Sequence, residues 1–316
     1  MKDEEVYNRR LKELINLGKD SSYFTNLSDN VIALCESLPI KDRQRVLNYL
    51  DKLWLPVALN LVIARNKLDR TLIQGILGGQ GVGKTTLCNV LKLIINYLGF
   101  SVATLSIDDL YLTYAQRQAL QKQDPRLIWR GPPGTHDLNL GLEIIQQCLT
   151  VDNSSKILMP RFDKSAFNGA GDRTKPEAVV KPDILLFEGW FVGAQPITEQ
   201  CFANPPAPIL TSEDIQFAKD NNQRLKAYLP LWDKLDSLIV LYPEDYRLSK
   251  QWRKEAEQKM IATGKTGMSD GECDRFVEYF WKALHPELFI EPLIQTADIV
   301  VEIKSDRSII RMSHQL

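Results

Sequence analysis

The chain has 316 residues, 44% of them hydrophobic, which is ample for a large core. Its 39 basic and 40 acidic side chains leave a formal net charge of -1. With no basic stretch interleaved with aromatics, that balance argues against nucleic acid or another polyanion as a partner and points to small ligands.

The opening, MKDEEVYNRRLKEL, is densely charged, which speaks against a secretory signal or an organelle transit peptide. Residues 1–68 read as a helical extension packed on the main domain. EVYNRRLKELINLG and DRQRVLNYLDKLWLPVALNLVIARNKL carry apolar residues at three- and four-residue spacing, with Pro56 expected to kink or divide the second stretch. No apolar run is read as approaching membrane-spanning length. Residues 69–316 form the second predicted domain. There TLIQGIL, SVATLSI, ILLFEG, SLIVLY and DIVVEI read as short strands, alternating with helical stretches such as TTLCNVLKLIINYLG and EDYRLSKQWRKEAEQKMIAT. Such alternation predicts a mostly parallel sheet covered by helices, an α/β three-layer sandwich. Segments 124–137, 159–182 and 193–211 read as long loops at the functional edge of that sheet, the last as a surface excursion. Cys35, Cys88, Cys148, Cys201 and Cys273 lie far apart, without zinc or disulfide spacing, so a reducing cytoplasm is expected.

GILGGQGVGKTTL, residues 75–87, satisfies the pattern G-x-x-x-x-G-K-[ST] through Gly78, Gly83, Lys84 and Thr85, between a predicted strand and a predicted helix. Glycine lets backbone amides turn toward phosphate oxygens, and the helix N-terminus adds partial positive charge. The cradle is assigned to Gly78, Gly79, Gln80, Gly81, Val82, Gly83, Lys84, Thr85 and Thr86. Lys84 is expected at the β and γ phosphates, and the Thr85 hydroxyl at Mg²⁺. A dinucleotide fingerprint fails because Lys84 stands at its last glycine position. NKLD at 66–69 precedes the loop and reads as a helix end rather than a guanine-reading motif. GKTG at 264–267 lacks the upstream glycine and strand, and reads as a helix C-cap and turn.

At the end of the second strand, SVATLSIDDLY supplies Asp108 and Asp109. A carboxylate there is placed to accept the proton of an alcohol attacking the γ-phosphorus, whereas a GTPase needs a group that orients water. Asp109 reads more readily as a helix cap. DILLFEGW ends a buried run in Glu188, suited to holding Mg²⁺ or water.

The order of GGQGVGKTT, SIDDLY and LLFEGW resembles the phosphoribulokinase and uridine kinase superfamily. Over most of residues 70–303 the chain is similar to its plant and cyanobacterial glycerate kinase branch, through WRGPPGTHDL, MPRFDKSAFNGAGDR, AYLPLWDKLDSLIVL and QWRKEAEQKM. The resemblance implies transfer from MgATP to the 3-hydroxyl of D-glycerate. It implies Asp108 as base, Glu188 near the metal, and PRFDKS as a substrate loop in which Phe162 replaces a tyrosine. Asp163 and Arg173 become candidates for substrate contact, as do Tyr111 and His136, the latter in GTHDL where the uridine kinase branch has histidine-proline. Arg253, and less well Arg247, match an arginine-bearing lid around residues 244–270.

A hydroxy acid acceptor needs a cationic fork for its carboxylate, which makes Arg161 and Arg173 attractive. Trp190 is placed to line the pocket. Kinases acting on pantothenate, a nucleoside or another sugar acid share the whole ATP half, and a regulatory ATPase switch is the reading from a different class.

Overall fold

The computed structural model describes residues 21–38, 40, 42–262, 264 and 267–314. Its first strand, β1 (Leu72–Gly78), is buried at every position, as suits a strand at the centre of a sheet. In chain order follow β2 (Val102–Ser106), β3 (Lys156–Asp163), β4 (Asp172–Val180), β5 (Ile184–Gly189), β6 (Ser237–Pro243), β7 (Ile299–Ile303) and β8 (Ile309–His314). All five runs read as strands from the sequence are strands. Six strands join in the spatial order β2-β5-β1-β6-β7-β8. β1 runs parallel to β5 and β6, β6 runs parallel to β7, and β8 turns back antiparallel on β7. This is the mostly parallel α/β architecture expected. With neighbours drawn from later in the chain on both sides of β1, the crevice beyond its C-terminal end is where such sheets bind ligands.

Two polar devices fix the register around β1. Arg70 grips Asp236 bidentately at 2.6 and 2.8 Å, and Asp236 also accepts the Ile73 N–H at 2.8 Å. Gln74, buried in the strand, donates to the Ser237 carbonyl at 3.1 Å, so its amide has a partner inside the core. On one side of the sheet Ile73, Leu77, Leu105, Leu185, Phe187 and Val240 pack with Ile144, Ile145, Leu225, Tyr228 and Trp232 into one apolar cluster.

The chain divides into two compact units. One takes in the described residues through Asp69 together with Thr85–Val102; the other takes in Arg70–Lys84 and the described residues from Ala103 onward. The first unit contains helices α1 (Ser21–Glu36), α2 (Arg43–Tyr49) and α3 (Leu55–Asn66), and nearly all of α4 (Lys84–Tyr97). Tyr23 and Tyr97 tie α1 to α4, their rings 4.4 Å apart. Between α2 and α3 the backbone widens into a π-helical turn, Leu50–Trp54, where the Leu55 N–H reaches the Leu50 carbonyl. Pro56, in the first turn of α3, lacks an N–H and crowds the preceding turn; the sequence reading expected it to kink or divide the helix, but the helical backbone continues from Arg43 to Asn66 and only widens before it. Contrary to the sequence reading, Arg43–Asn66 is long and apolar enough to cross a bilayer by length and composition, but most of that stretch is buried within the protein. The predicted helix at 5–18 lies outside the described residues.

In the second unit the remaining longer helices are α5 (Tyr114–Gln123), α6 (Leu138–Thr150), α7 (Ser212–Leu225), α8 (Leu248–Ala262) and α9 (Asp270–Ala283). Segment 159–182 corrects the sequence reading. Most of it is an antiparallel hairpin, β3 against β4, whose register slips between Met159 and Arg161, at Pro160, which has no N–H to offer a ladder. NKLD ends α3, as read, and Gly264 closes the end of α8 with φ +82° and its N–H on the Ile261 carbonyl. Lys265 and Thr266 lie outside the described residues.

Candidate active site

β1 runs directly into the glycine loop. Gly81 and Gly83 have φ of +75° and +105°, a backbone that side chains disfavour and that turns successive amides toward a common point. Lys84, the first residue of α4, lies back over the loop and donates to the Gly78 and Gly79 carbonyls at 2.7 and 3.1 Å. The loop is braced from outside. A Cβ on Gly81 would come within 2.6 Å of the Trp252 Cβ on α8. Arg307, in the turn between β7 and β8, donates to the Gly81 carbonyl at 3.3 Å, pairs with Glu255 at 2.8 Å and lies over the Trp252 ring. Nothing in the sequence marks Arg307, and the sequence reading missed it.

β2 runs out into a 3-10 turn, Ile107–Leu110, capped by Ser106. The Ser106 hydroxyl accepts the Asp108 N–H at 3.3 Å, and Asp109 accepts the Ser106 N–H at 3.0 Å. The adjacent aspartates therefore have different work. Asp109 completes the cap and pairs with Arg161 at 3.2 Å; burial pushes its carboxyl up, against the Ser106 N–H and Arg161. The Asp108 carboxylate takes no part in the cap and pairs with Lys164 instead. Burial pushes it up too, but the Lys164 ammonium at 2.6 Å and hydrogen bonds from Lys164 and Tyr111 outweigh burial and hold it below the usual carboxylate range.

The strand ends bring the assigned groups to one edge. Leu77 of β1 pairs with Gly189 of β5, and a Cβ on Gly189 would meet Ile107, next to Asp108, at 2.7 Å. Gly78, Asp108 and Glu188 thus lie at the same end of neighbouring strands. Among the described residues Glu188 has no ion-pair or hydrogen-bond partner, which leaves its carboxylate available.

Tyr111 is the hub of the acceptor side. Its hydroxyl faces Asp108, and burial followed by the charge of Asp108 pushes the phenol well above its ordinary value. Its ring stacks on His136 at 4.6 Å and meets Phe162 edge-on at 5.0 Å. His136 is 5% exposed, and burial pushes its pKa down to about 3, so the ring is neutral. Tyr228 accepts the Gly134 N–H at 2.9 Å, and its hydroxyl is hydrogen-bonded to His136 Nδ1 at 2.7 Å. Trp190 donates to the Gly131 carbonyl at 3.2 Å, so it supports the 131–136 loop.

The predicted arginines are largely committed within the protein. Arg161 pairs with Asp109 and with Glu177 at 2.8 Å, and donates to the Thr104 carbonyl at 3.2 Å. Arg173 pairs with Asp137 at 2.9 Å and donates to the Tyr111 carbonyl at 2.8 Å. Both brace the hairpin to the sheet edge. Asp163 is turned into its own turn, accepting from the Ser165 N–H and hydroxyl at 2.8 and 2.6 Å. That turn presents Lys164 to Asp108. The sequence reading passed over Lys164 although it follows Asp163 in PRFDKS. It also passed over Arg117, which pins the hairpin loop through the Ala170 and Gly171 carbonyls, and Arg130 in WRGPPGTHDL, which lies over the rings of Tyr111 and Phe162.

Arg253 departs most from its expected place. It pairs with Glu257, whose side chain is 6% exposed, and lies over the Phe276 ring at 4.8 Å. Glu257 in turn accepts the Met268 N–H at 3.0 Å, so the pair holds the α8–α9 connection together. Arg247 pairs with its neighbour Asp245 at 3.3 Å on the surface.

No family model matches the chain. Over 232 residues it is 35% identical to the chloroplastic D-glycerate 3-kinase of Arabidopsis thaliana, across 70% of this chain and 49% of the relative, so it spans about half that relative's length. It is 32% identical over 254 residues to the probable ATP-dependent kinase TDA10 of Saccharomyces cerevisiae, across 73% of this chain and 84% of the relative. The solved structure of D-glycerate 3-kinase from Cryptococcus neoformans matches with a TM-score of 0.73 at 27% identity, over 82% of this chain and 97% of that one. A phosphate loop at the end of β1, an ionised aspartate at the end of β2 and these relatives agree: the chain belongs to the family of P-loop kinases that includes D-glycerate 3-kinase.

Proposed function

We propose that the protein transfers the γ-phosphoryl group of MgATP to the 3-hydroxyl of D-glycerate, giving 3-phosphoglycerate and ADP. The observation that carries this reading is the ionised Asp108, oriented by Tyr111, at the same sheet edge as the phosphate loop. Likeness to the two D-glycerate 3-kinases supports the acceptor and the position phosphorylated.

In this mechanism the amides of Gly78–Lys84 cradle the triphosphate, and Lys84 leaves the Gly78 and Gly79 carbonyls for the β and γ phosphates. Asp108 accepts a hydrogen bond from the acceptor hydroxyl and aligns it in line with the γ-phosphorus. As the new O–P bond forms and the bond to the ADP oxygen breaks, the hydroxyl proton passes to Asp108. A carboxylate of low basicity suffices, because in a loose phosphoryl-transfer transition state the nucleophile loses its proton late and positioning does most of the work. Tyr111 keeps the carboxylate oriented throughout.

Mg²⁺ suits the oxygen donors present. Among the described residues no group of three or more His, Cys, Asp and Glu side chains forms a metal cage. That fits an ion carried in on phosphates and completed by few protein oxygens. The unpartnered Glu188 would hold it, and Thr85, next to Lys84 in the chain, offers a hydroxyl. When bound, the ion neutralises phosphate charge. The scattered spacing of the five cysteines supports a reducing compartment.

The test is a coupled ADP-release assay with a panel of hydroxy acids, pantothenate and nucleosides, followed by NMR of the product. D-glycerate-dependent ADP release with phosphorus on carbon 3 is expected. ADP release that no acceptor stimulates would favour an ATPase switch and overturn the proposal.

A further inference from the structure

The cations around Asp108 differ in what already neutralises them. Arg161 has Asp109 and Glu177, Arg173 has Asp137, and Lys164 has Asp108 itself. Arg117 is buried and its guanidinium is directed to the Leu112, Ala170 and Gly171 carbonyls. Arg130 is different. Among the described residues it has no carboxylate partner; it donates once, to the Gly169 carbonyl at 2.6 Å, and its guanidinium lies 5.9 and 5.5 Å from the ring centroids of Tyr111 and Phe162. A guanidinium has five N–H donors in a planar fork, so most of its capacity is unused while the two rings hold it in place.

A second donor lies against the same Tyr111 ring. The Tyr228 hydroxyl accepts from Gly134 and is hydrogen-bonded to His136 Nδ1, and the tautomer in which it donates to Nδ1 places the proton of the neutral His136 on Nε2. That Nε2 is buried and has no hydrogen-bond partner. In that tautomer Nε2–H is a buried donor without an acceptor, which is uncommon in a folded protein and suits a ligand oxygen. Tyr111 thus carries the base at its hydroxyl and two unsatisfied donors against its ring. Such a site suits an acceptor molecule with an alcohol at one end and a negatively charged, multi-oxygen group at the other.

We propose that Arg130 is the specificity-determining residue that grips the carboxylate of the acceptor, with the His136 Nε2–H taking a second oxygen of the same molecule, so that the site selects short hydroxy acids over neutral alcohols. The inference rests on the phosphotransferase reading above and deepens it by assigning the acid end of the substrate to residues other than Arg161 and Arg173. Arginine suits the task because its fork meets both carboxylate oxygens at once.

The test compares wild type with Arg130→Gln and Arg130→Lys in steady-state ADP release, with D-glycerate and with glycerol as acceptor. Arg130→Gln is expected to raise KM for D-glycerate roughly ten- to a hundredfold, as loss of charge-assisted hydrogen bonds does, with KM for ATP changed less than about twofold. The preference for D-glycerate over glycerol collapses with it. Arg130→Lys keeps the charge without the fork and recovers part of the loss. A KM for D-glycerate within about twofold of wild type in folded Arg130→Gln, or equal losses toward both substrates, overturns the assignment. If wild type ignores D-glycerate, the substrate reading fails separately, and the same comparison is made across the acceptor panel. A preference for acids that Arg130→Gln abolishes upholds the role of Arg130. A wild-type preference for neutral polyols or nucleosides, or no acceptor turned over at all, overturns it.

Discussion

Lys164 holds Asp108 ionised, yet its own side chain is 63% exposed, so the ion pair opens at little cost when an acceptor arrives. With burial as the largest influence pushing the carboxyl up, and Lys164 the main influence pulling it down, the sign of a substitution follows. In Lys164→Met the Asp108 pKa rises, and the acid limb of kcat/KM moves to higher pH. In wild type that limb lies below about pH 4, the ordinary carboxylate value. The folded pKa being lowered, the stability Asp108 contributes is present above the unfolded carboxylate pKa and is lost as pH falls through the folded one. An unmoved limb in Lys164→Met would detach Lys164 from the base. Asp108→Asn keeps the shape and removes the acceptor of the proton, so kcat should fall by roughly two to four powers of ten with KM for ATP little changed; near wild-type turnover would remove Asp108 from the chemistry. The sequence identified this pair of aspartates but could separate cap from base only by position in the turn. It placed Arg161 and Arg173 at the substrate because their partners stand far along the chain, Asp109 before the one and Asp137 before the other. Pairing across such separations leaves no local pattern to read.

The five strands of the parallel sheet were legible because buried strands are continuous apolar runs between turns, and β1 is the extreme case. The β3–β4 hairpin was not. Much of β4 is exposed, both strands contain proline, and Phe167 and Asn168 take left-handed backbone conformations in the connecting turn, so propensity pointed to a loop. Tertiary anchors, Arg117 above all, make it a hairpin. The same limit applies to Arg253, which sequence position made a lid residue acting in the transition state. Its pair with the buried Glu257 gives a different expectation. Arg253→Ala leaves a buried carboxylate without its cation, which should cost about 2–3 kcal/mol and lower Tm, somewhat less than a fully enclosed pair because Arg253 is partly exposed. Arg253→Ala with Glu257→Gln together should recover part of that loss. Unchanged Tm with reduced kcat in the single variant would return Arg253 to a catalytic role.

Across the larger unit, elements from distant parts of the chain meet on the phosphate loop. β1 delivers it, Trp252 of α8 covers Gly81, and Arg307 of the β7–β8 turn holds the Gly81 carbonyl. The loop's shape is therefore set by tertiary structure as well as by its glycines. Gly81→Ala tests this in one atom. The added methyl meets a Cβ, which cannot swing away as a side-chain end can, and the left-handed backbone disfavours any side chain, so the native loop is penalised by about 1–3 kcal/mol. The sheet does not depend on that loop, so the variant should fold. What it should lose is nucleotide-linked stability: saturating MgATP at a hundred times Kd raises wild-type stability by about 2.7 kcal/mol, and a weakened Kd at the same concentration reduces the shift in Tm. Arg307→Ala removes the second brace without a clash and should reduce the shift less. A full MgATP shift in Gly81→Ala would mean that the loop reaches its phosphate-binding shape without Trp252 against it, and that the contact with α8 is packing alone.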